Sequence, residues 1–322
     1  MTIVTTISAP LVVVVGGTGV QGGSVIRALE ASDRAYRVRT FTRDAGGEKA
    51  MALAAAGVQI AELSTMQDKE GVFKVVDGAD YLFINTSWEA YEDPQQETRD
   101  AMLLIDAANA ANAKGIIWSG ISNLSAVSSG DYDPQGHFYA KAAVAAYGCS
   151  KAVPFVDVQA GAYASSFLTT MRPRKLTDEP EMWGITVPLD GDEGARFKIP
   201  VIDSENDYGL FVRAVIEAEE FPSGESIAAY AEWIGLEDMV KIFAEATGKN
   251  VQLNPVPAST LQPILVAAGV PAHITVAMLD VFKALQESIY FTKDAPDYDK
   301  LARKPRTWRE FVLATDWSSL WI

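Results

Sequence analysis

The sequence has a single cysteine, Cys149, among 322 residues. No internal disulfide can form, and nothing argues for an oxidising compartment. The expected role of Cys149 is core packing. Histidine is almost as scarce, with only His137 and His273, and two distant imidazoles and one thiol make no convincing metal-ligand set. Positive charge is short as well: 27 Lys and Arg stand against 42 Asp and Glu, a formal net charge of -15. Direct binding to nucleic acid would be electrostatically opposed, so a regulator of this composition would act through a protein partner. The leader MTIVTTISAP has no basic n-region, and the apolar run after Pro10 stops at glycines. Neither a signal peptide nor a membrane span is expected, and the default compartment is the cytoplasm. A nucleophile elbow of the G-x-S-x-G type is also missing, since SGISN at 119–123 lacks that pattern, which argues against covalent catalysis. There is no internal repeat and no low-complexity linker.

What is present is a large apolar fraction, 48% of residues, enough for a sizeable core without covalent staples. Strand-like runs at 36–42, 58–63, 80–86, 115–120 and 154–159 follow an opening apolar run at 11–15. Segments with helical period lie between them at 20–32, 44–56, 67–77, 95–112 and 138–151. Such alternation predicts an α/β fold of the Rossmann type, a doubly wound parallel sheet with right-handed crossovers. After about residue 160 the alternation decays into a proline- and acid-rich stretch from Arg172 to Gly194, a strand-like RFKIPVI, and a helix capped by Asp203 or Ser204. Then follow ESIAAYAE, a helix from Leu236 to Thr247, VQLNPVP, and helices near 259–269 and 272–289. The division expected is a dinucleotide-binding domain over 1–160, to which some later elements return, and a smaller mixed α/β lobe over 161–322. Trp308, Phe311, Trp317 and Trp321 have spacings suited to helix packing rather than to a ligand cage.

The run LVVVVGGTGVQGGSVIRALE at 11–30 carries the chemistry. Leu11 to Val15 is apolar throughout, as a strand buried on both faces requires. Gly16, Gly19 and Gly22 recur at every third position, and Val20, Val25, Ala28 and Leu29 mark the helix that follows. Strand, tight turn and helix in this order offer a pyrophosphate close approach to the backbone and a helix N-terminus with unpaired N–H groups. Gly16, Thr18, Gly19, Val20, Gln21 and Gly22 are therefore candidate cofactor-binding residues.

Taken with TFTRD, HFYAKAAVAAYG, VPFVDVQAGAYASSFL and PVIDSENDYGLFV, this run resembles the NmrA-like family of atypical short-chain dehydrogenases/reductases, over about residues 10–315. The resemblance implies an NADP(H)-binding Rossmann domain with a smaller C-terminal lobe. It does not imply one activity, because the family includes redox sensors as well as reductases of quinones, imines and phenolic ethers.

The second strand should end where the adenosine ribose lies, about 20 residues past the last glycine, and Arg43 falls there. A guanidinium there suits a 2′-phosphate, so the cofactor expected is NADP(H). The resemblance places a phosphate-binding arginine at the same position. Arg39, on the same face, is a second contributor of lower weight, and Asp44 would cap the next helix or turn back onto the ribose. At the end of the third strand Ser64 and Thr65 stand where the family often has an acid near the adenine, which leaves that contact unassigned. Asn85, Thr86 and Ser87 look like the family's polar loop beneath the ribose and pyrophosphate.

Typical short-chain reductases carry Tyr-x-x-x-Lys, four residues apart on one helical face. Here His137 occupies the tyrosine position and Lys141 is retained; in relatives that lysine contacts the nicotinamide ribose. Lys141 and His137 are the candidate catalytic residues, His137 being equally compatible with a packed or capping role. Tyr139, two places along, should point away from both. After the sixth strand Ala160 and Ser166 replace the family's frequent proline and asparagine, while Gly161, Ala162 and Tyr163 would line the nicotinamide end. Trp88 is a candidate pocket wall, although core or interface packing suits it better. The activity expected is NADPH-dependent reduction of a small carbonyl, imine, quinone or phenolic substrate. The alternative is an NADP(H)-sensing regulator with a protein partner, and in either case a homodimer is compatible with the sequence.

Overall fold

The computed structural model describes residues 3–86, 91, 93–124, 137–177, 181–189, 197–291 and 296–321, apart from the side chains of Pro94 and His137. Strands β1 (Leu11–Val14), β2 (Arg37–Thr42), β3 (Gln59–Glu62), β4 (Tyr81–Ile84), β5 (Gly115–Trp118) and β6 (Phe155–Ala160) alternate with helices. The helices are α1 (Val20–Glu30), α2 (Glu48–Ala55), α3 (Lys69–Val76), α4 (Pro94–Ala110) and α5 (His137–Cys149). Beyond them come β7 (Ala162–Tyr163), β8 (Arg174–Thr177), β9 (Met182–Pro188), β10 (Lys198–Ile202), α6 (Tyr208–Glu217), β11 (Ser226–Ala229) and β12 (Glu232–Gly235). The remaining elements are α7 (Leu236–Thr247), β13 (Val251–Val256), α8 (Ala258–Ala267), α9 (Ala272–Gln286) and α10 (Trp308–Ala314).

The main sheet has seven strands in the order β3-β2-β1-β4-β5-β6-β11, and every pairing in it is parallel. All four residues of β1 are buried, since helices cover both faces of the sheet. One face packs on α1 and α6 through Val25, Ile26, Leu29, Phe211 and Val215; the other packs on α3, α4 and α5 through Val72, Val76, Ala101, Leu104 and Val144. The order reverses between β1 and β4. That reversal opens a crevice at the strand ends, where ligands of such sheets bind.

Two segments from beyond residue 160 complete this half. β11 pairs with β6, and α6 lies against α1, where the Gly209 N–H bonds the Ser24 hydroxyl at 2.9 Å. A Cβ on Gly209 would stand 2.1 Å from the Ser24 carbonyl oxygen, so only glycine allows the two helices this approach. The helix begins at Tyr208 rather than at 203 or 204. Asp203 instead closes the preceding turn, accepting from the Asn206 N–H at 3.2 Å, and pairs with Arg306 at 3.2 Å.

The rest of the second half forms two three-stranded sheets, β12-β10-β7 and β13-β9-β8. The stretch Arg172 to Gly194, read from sequence only as proline- and acid-rich, supplies both β8 and β9. An aromatic core joins these sheets to α7 and α10: Phe167 and Trp308 lie 4.4 Å apart, Phe243 and Trp317 4.8 Å apart. The indole N–H of Trp308 donates to the Met239 carbonyl at 3.0 Å, as a buried indole requires. The C-terminal aromatics therefore pack, as their spacing predicted. Cys149 does not: it is exposed at the last position of α5, where the helix turns its face away from the sheet. No described helix is long and apolar enough to cross a membrane.

Candidate functional site

The glycine loop turns directly out of β1. Gly16 has φ +74°, a left-handed conformation that side chains rarely adopt, and Gly22 passes so close that a Cβ there would meet the Gly16 oxygen at 2.2 Å. Gly17, not among the three evenly spaced glycines, is as constrained, because its Cβ would fall 2.5 Å from the Thr40 hydroxyl. That hydroxyl accepts from the Gly17 N–H at 3.2 Å and donates to the Val14 carbonyl at 2.8 Å, locking the loop to β2. Gly19 differs. Its Cβ would meet only the Gly16 oxygen, at 3.2 Å, and otherwise face open space. Gly19 is also the N-cap of α1, with no side chain on the helix's first N–H groups. A cradle of free N–H groups at a helix start, with room in front of it, fits a pyrophosphate. Thr18 and Val20 flank this cradle, and Val20 is exposed.

Arg43 follows β2 and is exposed, and its guanidinium makes no hydrogen bond or ion pair among the described residues. It is available to an anion at the position the spacing indicated. Arg39 is not. Its guanidinium donates to the carbonyls of Val75 at 3.0 Å and Asp77 at 2.9 Å and to Gln59 at 3.2 Å, so it braces β2 against the end of α3. Asp44 does not cap α2 either, whose N-cap is Gly47. Its carboxylate accepts from the Gly46 N–H at 3.1 Å and folds the turn after Arg43.

At the other end of the crevice Lys141 is almost wholly buried. Its Nζ donates to the Thr86 hydroxyl at 3.1 Å and to the Ser119 carbonyl at 3.1 Å. The third N–H has only longer partners, the Thr86 carbonyl at 3.5 Å and the Glu97 carboxylate at 3.5 Å. The Trp118 ring lies below, 4.3 Å from Nζ to centroid. Burial lowers the pKa of Lys141, and the attraction of Glu97 works against that shift. Glu97 is 2% exposed and accepts a 2.6 Å hydrogen bond from the Thr86 hydroxyl. Sequence reading missed Glu97. A signal existed, because Glu97 continues the buried stripe of α4 formed by Ala101, Leu104, Ile105 and Ala108.

A second chain of bonds reaches the same place. The Ser119 hydroxyl donates to Gln21 at 2.6 Å, and the Gln21 amide donates to the Tyr163 hydroxyl at 2.7 Å. The Gln21 side chain thus braces the residue after β5 to β7. Behind the site, Asp157 on β6 is buried, and burial pushes its carboxyl up to about 7. The side chain of His137 and the whole of Trp88 and Ser87 lie outside the described residues. Tyr139 is 51% exposed and faces away, as its helical position predicted.

Lys141, Thr86, Asn85, Ser119, Gly161 and Tyr163 border a cavity of about 690 Å³ that extends between the main sheet and the second half of the chain. Its far walls are mostly apolar and come from β9, β10, α8 and α9, including Ile199, Leu261, Met278 and Phe282. Tyr290 ties this wall to the sheet, its hydroxyl donating to the Ala160 carbonyl at 3.3 Å. The structure thus brings Asn85, Thr86, Lys141, Gly161, Ala162 and Tyr163 to one cavity, together with Gln21. Gly16, Gly19, Gly22 and Arg43 lie outside it, on the crevice at the ends of β1 and β2. Among the described residues no cluster of His, Cys, Asp or Glu could hold a metal ion.

Known proteins share both sequence and architecture with this chain. The NmrA-like oxidoreductase malD of Malbranchea aurantiaca is 30% identical over 75% of this chain and 74% of its own. The NmrA-like oxidoreductase cpsB of Aspergillus campestris is 31% identical over 76% and 75%. A crystal structure of NmrA, a negative transcriptional regulator, in complex with NADP superposes with a TM-score of 0.76 at 20% identity, covering 95% of both chains. The triphenylmethane reductase of Citrobacter sp., complexed with NADP(H), superposes at 0.73 with 19% identity over 94% and 98%. The NmrA-like family model matches residues 8–312, and the chain belongs to that family.

Proposed function

We propose that this chain is an NADPH-dependent reductase whose substrate offers a carbonyl, imine, quinone or phenolic group on a small, mainly apolar body. The observation that carries this reading is the cavity of about 690 Å³ beside Lys141. A sensor needs no room beyond its cofactor, whereas a reductase needs a walled space for a second molecule. The names of malD and cpsB as oxidoreductases, and the NADP-bound state of two proteins of the same fold, support it.

The residues fit NADP(H). The backbone of Gly16, Thr18, Gly19, Val20, Gln21 and Gly22 would take the pyrophosphate, and Arg43 the 2′-phosphate. Asn85, Thr86 and Lys141 would border the nicotinamide ribose, with Gly161, Ala162 and Tyr163 at the nicotinamide. When bound, NADPH supplies the hydride. Lys141 holds a proton at Nζ in a site whose burial favours giving it up and whose Glu97 favours keeping it, which suits a general acid. Its long third N–H contact leaves it able to turn toward a ribose hydroxyl or a substrate oxygen.

The test is NADPH consumption followed at 340 nm over a panel of quinones, aromatic aldehydes, ketones and cyclic imines. Turnover of one class is expected, with a loss of about 100- to 10,000-fold for Lys141→Met and a smaller loss for His137→Ala. The reverse order would make His137 the proton donor. Tight NADPH binding with no turnover and no binding of any panel member would overturn the reading in favour of a cofactor sensor.

A further inference from the structure

Among the described residues, the charge of the cavity wall departs from the charge of the chain. The protein carries 42 acidic residues against 27 Lys and Arg, yet no acidic side chain is among the described residues lining the cavity, and three bases are: Lys141, Arg172 and Arg174. Lys141 is answered by Glu97, which stands behind it, at 3.5 Å. Among the described residues the two arginines are not neutralised in this way. Arg172 donates to the Ser319 carbonyl at 3.0 Å, a bond that orients its guanidinium without cancelling its charge. Arg174, on the edge strand β8, makes no side-chain hydrogen bond or ion pair among the described residues. Glu181 shares a shallow depression with both on the outer side and forms an ion pair with neither.

These arginines are far from the phosphate-binding end in construction. Arg174 opens β8 in the sheet β13-β9-β8 and Arg172 lies just before that strand, whereas the glycine loop and Arg43 follow β1 and β2 of the main sheet. A cofactor laid along the crevice has its own cation in Arg43. Both residues are exposed at the rim of a mostly apolar cavity, where a guanidinium can pair with both oxygens of an oxyanion.

We infer that the cavity selects substrates that carry an anionic group, a carboxylate or its equivalent, on an apolar body, with Arg174 as the residue that receives it and Arg172 as its lesser companion. The inference rests on the reading of the cavity as the substrate site, and it concerns specificity rather than turnover. It asks nothing of the chemistry at Lys141.

The experiment therefore uses binding and not catalysis. Two fluorescent probes share one aromatic body: 1-anilinonaphthalene-8-sulfonate and the same amine without the sulfonate, N-phenyl-1-naphthylamine. Each is titrated into the full chain saturated with NADP+, and each is used to displace the other. The sulfonate probe should bind at least fivefold more tightly, compete with its neutral analogue, and lose that advantage in Arg174→Gln. The neutral probe should bind Arg174→Gln within twofold of wild type, which shows the cavity to be intact. Arg34→Gln, which removes an exposed positive charge elsewhere, should change neither probe. Equal affinity of the two probes, failure to compete, binding of neither, or an equal effect of Arg34→Gln and Arg174→Gln would each overturn the inference. A protein that binds the anionic probe as described, yet neither binds nor turns over any member of the reductase panel, would leave the anion preference standing and the reductase reading overturned.

Discussion

The two ends of the crevice are built differently. The end proposed to take the cofactor phosphates is made by one continuous run, β1, the glycine loop, α1 and β2, ending at Arg43. The cavity end is gathered from residues as far apart as Gln21 and Tyr290. At the first end the proposed binding rests on backbone geometry and on Arg43, whose guanidinium has no hydrogen bond or ion pair among the described residues. At the second it rests on side chains that hold one another, Lys141 with Thr86, Ser119 and Glu97, and on walls supplied by a different half of the chain. The lesson is that a substitution should break the first end without touching the fold, whereas at the second end binding and stability are coupled.

The largest effect expected is at the phosphate end. Gly19→Val would fill the open space before the cradle, since only the Gly16 oxygen at 3.2 Å neighbours its Cβ. NADPH binding by calorimetry should fall by more than about 100-fold, because the pyrophosphate loses its seat on the backbone, while the circular dichroism melt stays within a few degrees of wild type. A variant that unfolds would erase the contrast between the two ends.

At the cavity end Lys141→Met should instead cost stability. It leaves the buried Glu97 carboxylate without its cation, a loss on the order of 3 kcal/mol or more in urea unfolding. Adding Glu97→Gln should recover part of it, and a double variant no better than the single one would mean the pair is not coupled.

Asp157 gives the same end a pH dependence. Its carboxyl is raised from 3.8 to about 7, with burial as the largest cause. The folded state therefore binds a proton that the unfolded chain has already released, and stability should fall as pH rises from about 4 through 7 and then level off. The upper bound of that fall is about 4 kcal/mol, and Asp157→Asn should flatten the profile. A wild-type stability that rises over this range would contradict the burial of an ionisable carboxyl here.

The smallest effect belongs to Arg43, which is exposed. Arg43→Ala should weaken NADPH by about tenfold, as loss of a charge-assisted contact implies, and leave NADH almost unchanged. Equal affinity of the wild type for both cofactors would remove the 2′-phosphate assignment.

The particular residues show how far sequence reaches. Gly16, Gly19 and Gly22 were legible because a strand, a turn and a helix are local, and local order is written in consecutive residues. Lys141 was legible through its spacing from His137. Arg39, read as a second contributor of lower weight than Arg43, braces α3 instead, because which carbonyls a long side chain finds depends on an element that arrives 36 residues later. Strands β8 and β9 were hidden in a proline- and acid-rich stretch. The parallel partner of β9, β13, lies more than 60 residues on, and pairing at that distance overrides local composition.

The sequence by itself determined the alternating α/β order, the glycine cradle and the position of Arg43, since each follows from periodicity or from the absence of side chains along one short run. Tertiary structure alone decided which later elements, β11 and α6, return to the first half, that Glu97 stands behind Lys141, and that β8, α8 and α9 wall a cavity whose charged side chains among the described residues are all positive. Those features depend on which surfaces are buried against each other. Burial and the loss of water that goes with it are properties of the packed chain, and they give the same lysine or arginine a different charge balance and a different task.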